Sequence, residues 1–379
     1  MNQTALLHIA ERLERLLTKL PEKIRRPVLR ELTPLKELFL EQRPPRFLFI
    51  GSSKMPTNRI INALFAPGTP EQPNVALIPV HRWIDWGVSG HGTISILDAR
   101  DAGDSAAAHV QEDLKRQPAD IIFLFDDGES NLENLTVGNL GNFLSHFQHD
   151  FGGALGNVKV IGVSFGSGGR AAQLREALKT QPAIRDRLLK VVQLTEVYAD
   201  GARGLLSLLT EELPNQAKIE MIRISRDRQA QQHVAQMLIK STTAICTAIG
   251  AQPIPLADMP ILTSLQVVMV SGIMYISGRE RSLRAATEFI TALGANVGAG
   301  MLLREGARAI LKFFPGWGNV VCGMVAGAGT YAIGRAASAF FIGGVSLKDA
   351  RRKYLADRKK ASDKPHWLDG STRASRSIE

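Results

Sequence analysis

Short apolar runs alternate with longer amphipathic segments between residues 46 and 213. The runs 46–51, 91–98, 120–126, 158–163 and 190–194 have the length and composition of buried strands. The segments 60–65, 106–116, 132–149, 173–179 and 204–213 are predicted helices. Strands alternating with helices of this length predict an α/β fold, with a mostly parallel sheet and helices on both faces. Ligands of such sheets bind at the carboxyl ends of the strands.

The rest of the chain is predicted to be helical or flexible. Residues 5–43 have helical spacing that stops at Pro44-Pro45, and residues 216–250 have the pattern of one long connecting helix. Residues 349–379 are basic and polar, which is typical of disorder. We therefore divide the chain into an N-terminal helical cap (1–44), an α/β domain (45–215), a connecting helix with an apolar, glycine-rich all-α domain (216–347) and a basic flexible tail (348–379).

The loop after the first strand, Gly51 to Asn58, reads Gly-Ser-Ser-Lys-Met-Pro-Thr-Asn, and Ile-Asn-Ala-Leu-Phe follows at residues 61–65. This helix start resembles the first helix of Era-like GTPases of the TrmE-Era-EngA-septin type. The resemblance covers about residues 46–214 and implies a P-loop GTPase fold. It places a vestigial nucleotide site at Gly51, Lys54, Thr57, Asn58 and Asp98.

Residues that bind and hydrolyse GTP in this family are replaced here. Aligned on the helix, Pro56 takes the second glycine of the phosphate-binding loop, Thr57 the lysine and Asn58 the magnesium-binding hydroxyl. Proline has no N–H to donate to a phosphate, and threonine carries no positive charge. Lys54 either replaces the lost lysine or is a solvated loop residue.

The later family motifs are also altered. Asp98 matches the first residue of Asp-x-x-Gly, but Asp101 replaces its glycine, so Asp98 either holds magnesium through water or caps a turn. No guanine-selecting carboxylate follows the fourth strand, where the glycine-rich turn 166–169 either cradles another anion or is a flexible loop. The segment 191–201 keeps the outline of the last motif, with Thr195 and Glu196 replacing Ser-Ala.

Other catalytic chemistry has little support. Histidines at positions 81, 91, 146 and 149 have no third ligand nearby and are predicted to be surface residues. Residues 162–166 match Gly-x-Ser-x-Gly, but no helix follows Ser164 directly, which argues against a hydrolase serine. The two cysteines, Cys246 and Cys322, lie in apolar helical stretches and indicate neither a metal site nor a disulfide framework.

Residues 240–345 resemble a domain of unknown function that is often fused to Era-like GTPases and occurs in YcjF-like inner-membrane proteins. The residues that carry this resemblance include Pro253 to Pro260, Phe314 to Gly318 and Thr330 to Ala336. The resemblance implies membrane association. The small-residue pairs Gly294/Gly298 and Gly323/Gly327 predict close helix packing.

Two uncharged stretches, 259–278 and 313–334, are long enough to span a bilayer. The arginines between them contradict the positive-inside tendency of a simple two-span hairpin. Three alternatives remain open: peripheral or re-entrant helices, true spans, and a helical bundle that buries both stretches.

The formal net charge of +10 favours an anionic partner, although a charged tail is often only a solvated chain end. No aromatic-interleaved basic patch points to nucleic acid. We expect a non-enzymatic pseudo-GTPase scaffold or assembly module, without a cofactor, at the cytoplasmic face of the cell membrane. Anionic lipid and either self-association or a protein partner are its expected contacts. The alternative is a GTP-binding protein or GTPase with a nonstandard phosphate loop, GTP and magnesium.

Overall fold

The computed structural model describes most of the chain between residues 41 and 363. The described residues are 22, 25–26, 29–30, 41–66, 81–88, 92–102, 104–129, 131–132, 158–165, 169–194, 199–200, 202–251, 258–294 and 318–363. The predicted helices 5–43 and 132–149 therefore lie almost wholly outside them. The chain divides into two compact units between Ser225 and Arg226, and each is described by itself.

The first unit is built on a seven-stranded, mostly parallel sheet. Its strands are β1 (Arg46–Gly51), β2 (Trp83–Val88), β3 (Gly92–Asp98), β4 (Ile121–Asp126), β5 (Lys159–Phe165), β6 (Leu188–Leu194) and β7 (Ala199–Asp200). They are ordered β2-β3-β1-β4-β5-β6-β7, and only β2 and β7, at the two edges, run antiparallel to their neighbours. The five predicted parallel strands are confirmed, and the two edge strands were missed.

Helices cover both faces of this sheet, as predicted. The helices of the unit are α1 (Thr57–Phe65), α2 (Asp104–Arg116), α3 (Arg170–Thr180), α4 (Pro182–Arg185), α5 (Ala202–Glu212) and α6 (Asn215–Ser225). Successive side chains of a strand point to opposite faces. Phe47 and Phe49 of β1 therefore pack with α1, α5 and α6, whereas Leu48 and Ile50 pack with α2 and α3. These two apolar layers bury the central strands on both sides.

The predicted long helix 216–250 is wrong, because the chain breaks at Arg226. That residue has a φ of 52°, a conformation that interrupts a right-handed helix. The side chain of Asp227 then caps a new helix by accepting the backbone N–H groups of Gln229 and Ala230. The first half, α6, belongs to the sheet unit, where its buried Glu220 accepts the N–H of Thr93 at 3.0 Å.

Most of the described residues of the second unit beyond residue 226 are helical. They form α7 (Arg228–Gly250), α8 (Asp258–Ile276), α9 (Leu283–Ala292), α10 (Gly318–Phe341) and α11 (Leu347–Asp363). Gly323 and Gly334 let α10 approach α7 closely. A Cβ at Gly323 would lie 2.8 Å from the carbonyl oxygen of Thr247, and one at Gly334 would lie 2.6 Å from Ile239. The packing role predicted for Gly323 is confirmed.

Gly294 has a different role from the one predicted. It follows the end of α9 with a φ of 73°, the left-handed conformation that commonly terminates helices. Its assignment to a small-residue packing face is therefore wrong, and Gly298 lies outside the described residues.

The uncharged stretch 259–278 corresponds to α8, and the described part of 313–334 lies in α10. Both contribute to a buried core: residues 269–274 of α8 are all buried, as are Ala332, Ile333, Ala336 and Ala337 of α10. Within the described residues, no helix combines the length and the apolar character that crossing a membrane requires.

The predicted flexible tail begins with a helix instead. In α11, Ala350 is fully buried and Tyr354 is 4% exposed, and the carboxylate of Asp357 lies 3.8 Å from Arg335 on α10. Two inward-facing side chains one turn apart are enough to hold an otherwise charged helix against its neighbour. The prediction of disorder is therefore wrong for residues 348–363, and residues 364–379 lie outside the described part.

Candidate functional site

The carboxyl ends of β1, β3 and β4 meet at one edge of the sheet, where the sequence predicted a nucleotide site. Gly51 ends β1, Asp98 ends β3 and Asp126 ends β4. The register brings Phe49 opposite Asp98 and Gly51 opposite Phe125. Parallel strands thus gather the loops that follow them into a single cluster.

Gly51 makes the turn that starts the first loop. Its φ is 99°, and a Cβ here would lie 2.3 Å from the carbonyl oxygen of Phe125. The next residue, Ser52, donates its backbone N–H to that oxygen at 3.0 Å. The first loop glycine of the predicted site is therefore required by the backbone itself, whether or not a ligand binds.

A buried guanidinium lies at the centre of this edge. Arg100 is 1% exposed and donates two hydrogen bonds to the carboxylate of Asp98, from Nε to Oδ1 at 2.8 Å and from Nη2 to Oδ2 at 2.7 Å. It also donates to the carbonyl oxygen of Met55 at 2.7 Å and to the hydroxyl of Thr57 at 2.9 Å. The Thr57 hydroxyl in turn donates to Asp98 at 2.6 Å. We call Arg100, Asp98, Thr57 and the Met55 carbonyl the Arg100 cluster.

The Arg100 cluster uses both carboxylate oxygens of Asp98, the residue predicted to hold magnesium through water. Both carboxylate oxygens of Asp98 already accept from the guanidinium, and bidentate pairs of this kind are among the stronger hydrogen-bonded contacts in proteins. The ring of Phe125 lies 5.3 Å from the guanidinium carbon of Arg100 and closes another side. A divalent cation would have to displace Arg100 to reach Asp98, so these residues do not fit magnesium as they are arranged.

The hydroxyl that contacts Asp98 belongs to Thr57, the first residue of α1. The resemblance placed Thr57 at the lysine position and Asn58 at the position of the magnesium-binding hydroxyl, and it did not predict this contact. The side-chain oxygen of Asn58 is buried without a hydrogen-bond partner among the described residues. Pro56, which precedes α1, supplies no N–H to the loop.

Carboxylates occupy the donors of the first loop. The backbone N–H of Ser53 donates to Asp101 at 3.0 Å, and its hydroxyl donates to the same oxygen. Asp101, at the position where the Asp-x-x-Gly pattern has glycine, has a left-handed φ of 51°, which aspartate tolerates better than most residues. The predicted departure from Asp-x-x-Gly thus provides an internal anion for the loop.

Lys54 is held away from the Arg100 cluster. Its ammonium group forms an ion pair with Asp127 at 3.2 Å and another with Glu129, both just after β4. Hydrogen bonds to Glu129 and then Asp127 raise the pKa of Lys54. The side chain is 57% exposed, so Lys54 is closer to the solvated loop lysine than to the replacement for the family lysine.

A second arginine–carboxylate pair lies one strand further along. Asp126 is fully buried and accepts from Arg170, Nε at 2.8 Å and Nη2 at 2.7 Å. The hydrogen bonds to Asp126 raise the pKa of Arg170. Ser164 is also fully buried and donates to Asp126 at 3.2 Å. It lies within β5 and not on an exposed turn, so the argument against a hydrolase serine is supported.

The remaining candidates are only partly visible. Nδ1 of His81 lies 3.0 Å from the carbonyl oxygen of Asp98. The other three histidines considered in the sequence, at positions 91, 146 and 149, fall outside the described residues. Across the described ranges, no three His, Cys, Asp or Glu side chains are grouped to hold a metal ion. Of the glycine-rich turn 166–169 only Gly169 is described, at the start of α3. Thr195 and Glu196 also lie outside.

Two of the residues that dominate this edge, Arg100 and Arg170, were not singled out from the sequence, and Asp101 was noted only as the replacement for a motif glycine. Arg100 follows Asp98 by two positions, and a basic residue just after a strand normally indicates a solvated turn. The available signal was the coincidence of an arginine and a second aspartate with the loss of the loop lysine. Comparison with protein-family models and with curated protein sequences finds no match for this chain.

Proposed function

We propose that this protein is a non-enzymatic, GTPase-like scaffold or assembly module that works at a membrane surface. In this proposal the sheet unit is a binding module with a vestigial nucleotide site. The helical unit docks on the membrane or self-associates. The observation that carries the proposal is the burial of Arg100 against Asp98 and Thr57.

Arg100 occupies the groups that a metal ion beside a nucleotide would need. A nucleotide site of this fold needs a carboxylate and a hydroxyl that are free to organise a metal ion beside the terminal phosphates. Here the carboxylate of Asp98 and the neighbouring hydroxyl of Thr57 hold a guanidinium that belongs to the chain. An internal cation of this kind is always present, so it cannot report whether a ligand is bound.

Carboxylates beside the first loop also oppose the binding of a triphosphate. A phosphate-binding loop offers N–H groups and a lysine to an anion. In this chain the N–H of Ser53 already donates to Asp101, and Lys54 already forms ion pairs with Asp127 and Glu129. A triphosphate would have to compete with three carboxylates, which repel it.

One observation favours the alternative, a GTP-binding protein or GTPase with a nonstandard loop. The buried side-chain oxygen of Asn58 lacks a hydrogen-bond partner among the described residues. Buried acceptors are normally satisfied, and an unsatisfied one in the first turn of α1 is a reason to consider a ligand. An amide oxygen at the start of α1 would suit a cation or a water molecule.

Isothermal titration of the whole protein with GTP and magnesium separates the two functions. The scaffold proposal expects no measurable binding heat and no phosphate release. Micromolar binding that is lost in Asn58→Ala would refute it and support the alternative. Lys54→Gln is the control for simple charge attraction, because removing this exposed loop lysine would weaken any triphosphate contact without altering a metal site.

A further inference from the structure

The outward surface of α11 combines exposed cations with exposed apolar side chains. Leu355 is 52% exposed and Leu347 is 41% exposed, and Lys348, Arg351 and Arg352 are exposed beside them. At 100° per residue these five side chains cover an arc of about 140° on the helix. We call them the outer face of α11. Val345, just before the helix, is a further exposed apolar residue at 37%.

The orientation of this face is fixed by the buried side of the helix, which adjoins it at Leu347. Ala350 and Tyr354 are buried, and Asp357 lies within ion-pair distance of Arg335 on α10. The apolar residues of the outer face are therefore not part of a core that α11 could complete by turning over. Three of the six large hydrophobic residues that are exposed in the described part of the chain lie between Val345 and Leu355.

The charge of the face is positive even after its own acid is counted. Asp349 is the only acidic residue between Leu347 and Leu355, and its carboxylate lies 3.5 Å from Arg352. It also accepts from the hydroxyl of Ser346, which it holds at the start of the helix. Lys348 and Arg351 remain as cations beside the two leucines.

This combination fits the surface of an anionic bilayer. A helix that lies in the membrane interface places apolar side chains at the acyl boundary and lysines or arginines among the headgroups. A nucleic acid would use the cations but would leave Leu347 and Leu355 in water. A protein groove would favour a longer apolar stripe with fewer cations around it.

We propose that the outer face of α11 is the membrane-contacting surface of this protein and that it binds anionic phospholipid headgroups. This inference rests on the membrane part of the proposed function and locates it on five residues. The cations attract the headgroups, and the two leucines enter the interface between them.

The test is flotation of the full-length protein with phosphatidylcholine vesicles, with and without a third of the lipid replaced by phosphatidylglycerol. We expect binding only to the anionic vesicles. Each cation near such a surface contributes roughly a five-fold factor, so Lys348→Gln, Arg351→Gln and Arg352→Gln together should reduce partitioning about a hundred-fold. Leu355→Asn should reduce it about five-fold, because half of that side chain is free to enter the interface.

The matched control removes three exposed cations from the sheet unit: Lys115→Gln, Arg116→Gln and Arg185→Gln. It lowers the net charge equally and should retain binding to within a factor of two or so. An equal loss in this control, or full binding in the α11 variants, would overturn the inference while leaving membrane association intact. No binding of the unaltered protein to anionic vesicles would refute the membrane part of the proposed function as well.

A separate arm adds RNA as a competitor to the anionic vesicles. We expect the protein to stay with the vesicles. Transfer to RNA that depends on Lys348, Arg351 and Arg352 but not on Leu355 would show that the face binds phosphate backbones, and it would also overturn the inference. Thermal unfolding of every variant, followed by circular dichroism, checks that α11 is retained.

Discussion

Replacing Arg100 by methionine removes the cation of the Arg100 cluster while keeping much of its apolar volume. Asp98 would then be a buried carboxylate, 6% exposed, with the Thr57 hydroxyl as its remaining side-chain donor. The carbonyl oxygen of Met55 would lose its guanidinium donor too. We expect Arg100→Met to destabilise the sheet unit strongly.

The magnitude follows from the asymmetry of buried ion pairs. Removing one partner of a buried pair costs about 3–5 kcal/mol, because the other charge stays uncompensated. Neutralising both partners removes that penalty, so Asp98→Asn combined with Arg100→Met should cost only about 1–2 kcal/mol. The double variant is therefore expected to be more stable than Arg100→Met alone.

The difference in stability between the single and the double variant can be measured by urea unfolding. Tryptophan fluorescence, to which Trp83 and Trp86 in β2 contribute, provides the signal. The surface control is Arg116→Met, which breaks an exposed pair with Glu112 in which the arginine side chain is 71% exposed. That change should cost less than about 1 kcal/mol. Two results would contradict this prediction. In one, Arg100→Met lowers the free energy of unfolding no more than Arg116→Met does; in the other, the losses from Asp98→Asn and Arg100→Met simply add in the double variant.

Three further predictions concern packing, titration and the loop. Gly323→Ala should destabilise the helical unit by about 1–3 kcal/mol, because the new methyl group meets the Thr247 carbonyl, whereas Gly329→Ala, which meets nothing within 4 Å, should stabilise α10 by up to about 1 kcal/mol in thermal unfolding. Burial raises the pKa of Cys246 from 9.0 to about 12, so the stabilisation that this thiol gives to the folded state should be complete below pH 9 and lost as the pH rises toward 12. In Cys246→Ala the free energy of unfolding, measured in urea, should therefore decline less steeply above pH 9. Identical slopes for the two proteins would contradict this. Gly51→Ala should cost more than about 2 kcal/mol in urea unfolding, because it combines a positive φ with a clash against backbone, and an unchanged midpoint would show that the loop can rearrange.

The central strands could be predicted because their signal is local. Phe47 to Ile50 is apolar at every position, which is typical of a strand buried on both faces. The edge strand β2 has no such run: Asp85 and Gly87 interrupt it, because its outer side chains are only partly covered. Its pairing with β3 is a tertiary contact that the segment alone does not specify.

The break at Arg226 left one usable signal. Neither glycine nor proline marks the end of α6, and an unusual φ at an arginine has no sequence signature. Asp227 does mark the start of α7, since aspartate is a favoured N-cap residue. The helical part of the tail was missed for a different reason: Ala350 and Tyr354 are its two buried side chains among many charges, and they matter only because α10 lies beneath them.

The edge of the sheet where Gly51 and Asp98 lie could be located from the sequence, but the arginine buried there could not. Gly51 and Asp98 lie where the strand order predicted, because the carboxyl ends of parallel strands share an edge. Arg100 is buried because Met55, Thr57 and Asp98 supply acceptors from the first loop, the start of α1 and the end of β3. No spacing rule connects these positions, so the sequence alone did not indicate that Arg100 is buried.

An internal cation at this edge also bears on whether the sheet unit can act as a switch. A ligand shifts a conformational equilibrium only by its difference in affinity for the two states. In a GTPase the terminal phosphate and its magnesium ion supply that difference by holding loops that relax when the phosphate leaves. Here Arg100 joins the first loop, the start of α1 and the end of β3 through hydrogen bonds to Met55, Thr57 and Asp98. All of these contacts are made within the chain, so under the proposed scaffold function they would hold the loop in one arrangement without nucleotide, and a nucleotide-dependent change in the loop would contradict that proposal.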